Sequence, residues 1–348
     1  MTPGAGAPGR RGWARRATDW LATLAGLALL GWLLHDTGLR AVQGCLVRMG
    51  WAAILAPVPY TLASLFDALG WRAVLRSITA GVPFARLCFI RLAGEAVNSA
   101  APTGVGGEPL KAVLLRTHGV SGSQAAAAVV IDRTSVTVTQ SLLVVAGITA
   151  LLVRLDRGGE ALVAFVSLCA LAAAFGFVLI HLQRSAPAQL GMRLLSRIVP
   201  RAGRAGTLRQ GAAALDTRLS AFYRGERGPF VVAGCWHLLS WLASSAEVWL
   251  LFWSMGAPIS WRDALIIDGL AQPIRATAII VPGALGTQES GGVALCVWLG
   301  IGRDVAVAVW LVRRARELLF DAIGLLYLVV ARGWVGRLTT GPVAQDPA

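Results

Sequence analysis

The chain has 348 residues, of which 56% are hydrophobic and 14% charged, and its mean hydropathy is +0.64. This exceeds what a soluble core needs, and the apolar runs are long enough to cross a bilayer, which takes about 20 residues. The net charge of +14 comes almost entirely from arginines concentrated in particular loops. That pattern is typical of membrane topology and argues against a nucleic-acid partner. We therefore expect a polytopic membrane protein.

Motifs for metal, cofactor or enzymatic chemistry are not found in the sequence. The five cysteines and four histidines are dispersed, with neither a Cys-x-x-Cys pair nor the spacing of a zinc site. A Walker sequence and a Gly-x-Ser-x-Gly motif are also missing. We expect no metal, no cofactor and no catalytic residue.

The N-terminal part of the chain predicts two spans. Residues 1–17 form a basic tail, expected in the cytoplasm, and residues 20–34 form a first, uncleaved span. Residues 51–70 form a second span, which Pro57 and Pro59 are expected to interrupt.

The rest of the first membrane half, residues 18–181, contains a segment too polar for an ordinary span. Residues 84–101 carry several charges and lead directly into a glycine-rich break. We expect a re-entrant hairpin of two short helices over residues 84–119, because irregular backbone at membrane depth is tolerated only in packed or wet surroundings. Two ordinary spans follow, at residues 124–153 and 161–180.

A basic linker, residues 182–228, separates the two halves and is expected in the cytoplasm. Apolar residues recur in it at helical spacing, which predicts an amphipathic helix. That helix either lies on anionic lipid headgroups or connects the halves with one packed face. The residues concerned are Leu208, Ala212, Leu215, Leu219 and Phe222.

The second membrane half, residues 229–332, repeats this plan. A span at residues 230–255 precedes a second broken hairpin over residues 262–300. The last span covers residues 305–330, and residues 333–348 are expected to form a flexible cytoplasmic tail.

The two glycine-rich breaks have matching landmarks. One common offset along the chain relates Glu108 to Glu289, Gly119 to Gly300, and Arg133 to Arg314. Because the first hairpin starts from the cytoplasm and the second from outside, the repeats are expected to be inverted, which is typical of a transport site near the bilayer midplane. The predicted fold is an all-α polytopic membrane protein with about six full transmembrane helices and two broken re-entrant hairpins in inverted repeats.

Candidate site residues follow from the breaks and from charges inside spans, each of which costs roughly 2.5–3.5 kcal/mol to insert. Glycines before a short helix expose amides to an anion such as a lipid phosphate, or else permit close helix packing. Arginines suit phosphate, so we expect Arg133 and Arg314 to face a central cavity, with Glu108 and Glu289 as partners; structural ion pairs are the alternative. The candidates are Arg133, Arg314, Arg313, Asp132, Glu108, Glu289, Glu95, Asn98, Gly104, Gly106, Gly107, Gly283 and Gly286.

The sequence around these residues resembles a known membrane family, the flippase-like family that includes the transmembrane region of lysylphosphatidylglycerol synthases. The motifs that carry the resemblance lie between residues 18 and 332, and two of them also resemble a branch associated with hopanoid biosynthesis. They are Asp67 to Arg72, Gly94 to Asn98, Pro102 to Glu108, Asp132-Arg133, Pro282 to Glu289, and Arg313 to Gly324.

The resemblance implies a lipid flippase or lipid-export protein of a bacterial inner membrane, acting on an anionic or polar-headed phospholipid or hopanoid. Its partners would be membrane lipids, with a separate lipid-modifying enzyme left open. A membrane-embedded lipid or glycosyl transferase, in which Glu108 and Asp132 act as acid and base, is one alternative. A scaffold for lipid biosynthesis enzymes is another.

Overall fold

The computed structural model describes residues 35, 39–79, 81–100, 106–185, 188–189, 206–225, 227–277 and 286–340. Within these ranges the chain forms helices and no strand. The predicted first span at residues 20–34, the N-terminal tail, most of the linker before residue 206, and Gly104 and Gly283 lie outside the described residues.

Six helices form the described part of the first half. A 3-10 turn at Gly50–Ile54 connects the first two of them. The helices are α1 Leu39–Met49, α2 Pro57–Ile78, α3 Phe84–Ala100, α4 Gly107–Arg116, α5 Gly122–Arg154 and α6 Gly158–Arg184.

The linker helix and four more helices complete the described chain. They are α7 Gly206–Gly225, α8 Arg227–Ser254, α9 Trp261–Thr277, α10 Thr287–Trp298 and α11 Arg303–Thr340. The last helix continues to Thr340, well past the end predicted for the final span.

Local sequence explains where several helices begin and end. Pro57 is the first residue of α2 and Pro59 lies in its first turn, so the predicted span at residues 51–70 is interrupted before Pro57, where the 3-10 turn gives way to the helix. Proline is tolerated in a first turn because amides there have no helical acceptor. Ser121 and Gln124 form a reciprocal capping box that starts α5.

The short helices α4 and α10 end in the same way. Gly119 and Gly300 follow them with φ of 81° and 85°, in the left-handed region that side chains avoid. These two glycines are one of the landmark pairs related by the common offset. The chain therefore turns in the same way between each short helix and the long helix after it.

The halves interlock through equivalent contacts. Helix α3 packs on α11, and α9 packs on α5. A Cβ placed on Gly324 of α11 would meet the carbonyl of Leu92 in α3, and one placed on Gly269 of α9 would meet the carbonyl of Leu143 in α5. Leu143 and Gly324 are related by the common offset, and the offset from Leu92 to Gly269 is slightly smaller. Exchanging the halves therefore converts one contact into the other.

Helices α2 and α8 pack along each other in opposite directions. Phe66 stacks on Trp236, with ring centroids 5.7 Å apart, and Gly70 lies against His237 and the carbonyl of Ala233. Residue numbers thus rise on α2 as they fall on α8. This antiparallel pair crosses the boundary between the halves.

Two described helices, α5 and α6, are long and apolar enough to cross a membrane by length and composition. Little of either is buried inside the protein, and α6 exposes many large apolar side chains around its circumference, including Leu162, Val166, Leu171 and Phe177. A continuous apolar surface of this kind is typical of a face that meets lipid. The expected number of six spans stays a prediction.

The linker helix α7 packs on the helical core. Leu219 and Phe222 are buried against Val74, Ile131 and Ala233, which belong to α2, α5 and α8. The same face carries Tyr223, whose pKa is raised by burial to about 12. Its protonated hydroxyl donates to Oε1 of Gln183 in α6, at 2.6 Å. The structure therefore favours the connector with one packed face over a helix lying free on headgroups.

Candidate functional site

The first group of buried charges joins four helices. Asp67 of α2 accepts a 2.7 Å hydrogen bond from Nη2 of Arg91 in α3. Asp132 of α5 lies 3.8 Å from the other terminal nitrogen of Arg91. His237 of α8 stands between the two carboxylates, with Nδ1 2.8 Å from Asp67 and Nε2 3.1 Å from Asp132. We call these four residues the histidine cluster.

The second group joins α8, α9 and α11 in the second half. Arg313 of α11 donates to Asp268 of α9 at 3.0 Å, and Arg316 makes two 2.8 Å hydrogen bonds to the carboxylate of Glu247 in α8. Arg316 also lies over the ring of Tyr60, 3.7 Å from its centroid. We call Glu247, Asp268, Arg313 and Arg316 the arginine cluster.

Each short helix also carries a glutamate that faces an arginine on the following long helix. Glu108 lies 3.9 Å from Arg133, and Glu289 lies 3.2 Å from Arg314. The surroundings differ, because the Arg133 side chain is 57% exposed and that of Arg314 only 11% exposed. Arg314 also binds Glu317 at 2.9 Å.

A network between α3 and α4 holds the first glutamate in place. Lys111 is buried and binds Glu95 at 2.9 Å and Glu108 at 3.2 Å. Asn98 donates to Glu108 at 3.4 Å and accepts from the backbone amide of Gly107 at 2.6 Å. The Asn98 carbonyl therefore occupies one of the free amides at the start of α4.

A cavity of about 300 Å³ opens between α4, α5 and α6 beside this network. Its polar wall is formed by Glu108, Arg133, Thr134, Thr137 and Gln183, and the remaining wall is apolar. Gln183 is oriented by its 2.6 Å hydrogen bond to Thr134 and by the one it accepts from Tyr223. The apolar lining residues are Val129, Val130, Phe175 and Leu179.

Comparison with known families decides the class of protein. The family model described as "Lysylphosphatidylglycerol synthase TM region" matches residues 20–324, which is most of the chain. The chain belongs to this family. A search of curated proteins found no match. The resemblance expected from the sequence motifs is thereby confirmed.

Membership in the lysylphosphatidylglycerol synthase transmembrane family makes this a membrane protein related to lipid modification or transport. The two charge clusters consequently belong to helices that pack within a membrane protein. Ionisable groups there face a partner or a cavity, because lipid cannot solvate them. Both clusters satisfy this rule with partners from other helices.

The glycines proposed as anion contacts have different positions and surroundings in the structure. Gly106 and Gly286 directly precede α4 and α10, and Gly286 has φ of 73°. Gly107 lies so close to α3 that a Cβ there would overlap the carbonyl of Gly94. Close helix packing, the alternative expected for this break, therefore accounts for Gly107.

Several residues of the clusters were not among the sequence-based candidates. Each of them is an ionisable residue within an apolar segment, and the free-energy cost of placing such a residue there was the signal that could have found them. They are Asp67, Arg91, His237, Glu247 and Asp268. They form pairs over long sequence distances, such as Asp67 with His237. Only the packing of α2 on α8 brings that pair together.

Proposed function

We propose that this protein moves an anionic or polar-headed lipid of the phospholipid or hopanoid type across the membrane. The observation that carries the proposal is the exposed guanidinium of Arg133 in a cavity of membrane helices. A phosphate can approach Arg133 there, while the apolar wall formed by Phe175 and Leu179 accommodates part of an acyl chain. A cavity with one polar and one apolar wall matches the amphipathic shape of a lipid.

The exchange of equivalent contacts between the halves supports an inverted repeat, the arrangement of many transporters that alternate between two faces. Helices α2 and α8, at matching positions, run antiparallel. Helices α3 and α9, both 17 residues long, each precede a break and a short helix. We infer that the halves change their contacts with each other while the lipid headgroup passes between the leaflets.

Arg133→Ala is expected to slow lipid translocation by about 10- to 100-fold, because a charge-assisted hydrogen bond contributes about 1.5–3 kcal/mol. The fold is expected to survive, since the side chain is 57% exposed. The purified protein is reconstituted in liposomes containing a fluorescent anionic lipid, and the fraction accessible to an external quencher is followed. Arg157→Ala is the matched control, because Arg157 is similarly exposed and its ion pair is with Glu160 at the start of α6.

The same assay separates the remaining functions. Unchanged translocation by a folded Arg133→Ala variant would remove Arg133 from the site. Covalent modification of the lipid after addition of an activated donor would identify a transferase. If the protein neither moves nor modifies any lipid, the remaining function is that of a scaffold for lipid biosynthesis enzymes.

Arg314→Ala is expected to act through stability. Its removal leaves Glu289 without this ion-pair partner, while Glu317 keeps Arg275 at 3.6 Å, so we expect a cost of about 2 kcal/mol. The free energy of unfolding in mixed detergent micelles measures this loss. A variant as stable as wild type but inactive in the liposome assay would instead place Arg314 in direct contact with the lipid.

A further inference from the structure

The contacts of His237 indicate which protonation state its imidazole ring has. The side chain is 0% exposed, and each ring nitrogen faces a carboxylate oxygen. Neutral imidazole has one N–H and can donate to only one of them. The other nitrogen would then direct its lone pair at an acceptor. The observed arrangement therefore fits imidazolium, which donates to both Asp67 and Asp132.

Charge balance in the two clusters leads to the same assignment. The arginine cluster contains two carboxylates and two arginines, so the charges of its ionised groups balance. The histidine cluster also contains two carboxylates but only one arginine, Arg91. It is neutral while His237 is protonated and carries one negative charge after the proton leaves. Of the two clusters, only the histidine cluster contains a side chain whose ordinary pKa lies near neutral pH.

The groups facing His237 come from three helices. Asp67 approaches from α2, Asp132 from α5, and Arg91 of α3 contacts both carboxylates. The α7 helix reaches α8 near Phe230 through Tyr223. Farther along α8, Glu247 meets Arg313 and Arg316 of α11, and Asp268 of α9 pairs with Arg313.

The position of His237 connects its proton to both the halves and the cavity. Its helix, α8, belongs to the second half, whereas Asp67 and Asp132 belong to the first. Asp132 directly precedes Arg133, which lines the cavity. A change in the hydrogen bond between His237 and Asp132 therefore acts next to the proposed lipid contact. It also acts at the boundary between the halves, which must rearrange during transport.

We propose that His237, held between Asp67 and Asp132, is the proton-binding site that couples lipid movement to a proton gradient. The inference rests on the proposed function and identifies its energy source. With the proton bound, the α2–α8 contact is closed as observed. Loss of the proton to water leaves a net charge that apolar surroundings disfavour, which weakens this contact and allows the halves to separate.

The transport test uses liposomes with a pH difference of one unit across the membrane and the potential held at zero by equal potassium and valinomycin. Coupling of one proton to each lipid predicts about a tenfold shift in the distribution of labelled anionic lipid between leaflets. His237→Gln is expected to abolish this shift. His181→Gln, a change at an exposed histidine near the end of α6, is expected to retain it.

A second measurement observes the proton itself. The chain has four histidines, so protein labelled with ¹⁵N-histidine gives few ring signals, and His237 is the one lost in His237→Gln. We expect the His237 signal to show imidazolium at neutral pH and to change to imidazole when the pH is raised. Asp67→Asn and Asp132→Asn should each shift the midpoint downward, because each removes a negative neighbour.

The outcomes distinguish the two proposals. Translocation by wild type that ignores the pH difference would overturn the coupling and leave the transport function intact. Failure of wild type to move any labelled lipid would overturn the transport function. A His237 signal that keeps one form throughout the titration would overturn the proton site in either case.

Discussion

Glu247→Ala is expected to reduce the free energy of unfolding by about 3–5 kcal/mol. Glu247 is 1% exposed and takes both hydrogen bonds of the Arg316 fork, while Nε of Arg313 lies 3.5 Å away. Removing this carboxylate leaves the arginine cluster with two guanidinium groups and only Asp268. Most of the loss comes from the uncompensated buried charge rather than from two hydrogen bonds. Unfolding in mixed detergent micelles measures the effect.

A double variant tests that explanation. Glu247→Leu combined with Arg316→Met replaces the ion pair by apolar groups of similar size, which in buried sites is often close to neutral. The methionine can pack on Tyr60, where the guanidinium lies in wild type. We expect most of the lost stability to return. If the double variant is as unstable as Glu247→Ala, the charge imbalance is not the cause.

The matched control is an ion pair exposed to solvent. Glu160→Ala breaks the 2.7 Å contact between Glu160 and Arg157. The side chains of both residues are about 60% exposed. An exposed pair contributes at most about 1 kcal/mol. A loss as large as that of Glu247→Ala would show that α6 depends on this pair and that burial does not distinguish the two sites.

The sequence predicted the repeated pairs whose partners lie close together along the chain. Glu108 and Arg133 are separated by one short helix and one turn, and Glu289 and Arg314 have the same separation. A single offset along the chain finds both pairs. Their different exposure was not predictable, because it depends on how the helices pack in three dimensions.

By the common offset along the chain, Arg313 stands where the first half has Asp132, so the halves are electrostatically unequal at this position. The structure supplies the compensation. Arg91 contacts Asp132, and Asp268 contacts Arg313, so both members of the pair have exchanged sign. The offset from Arg91 to Asp268 is smaller than that from Asp132 to Arg313, because the break after α9 is longer than the one after α3. One fixed offset therefore could not find this exchange.

Gly107→Ala is expected to reduce the free energy of unfolding by about 3 kcal/mol, at the upper end of the range for overpacking. The added methyl group would overlap the carbonyl of Gly94, and a backbone group in the middle of α3 cannot turn aside as a side chain can. Helix α4 must move away from α3 instead. That movement also breaks the 2.6 Å hydrogen bond from the Gly107 amide to Asn98.

The displacement has a functional consequence, because Glu108 and Lys111 move with α4. Glu108 and its contact with Arg133 belong to the polar side of the cavity, and Lys111 binds Glu108. The liposome assay should therefore show slower lipid movement together with the loss of stability. Gly211→Ala in α7 is the control, since a methyl group there meets nothing within 4 Å and should add about 0.5–1 kcal/mol of stability. Wild-type stability in Gly107→Ala would mean that α3 and α4 are farther apart, and the hairpin that positions Glu108 would lose its basis.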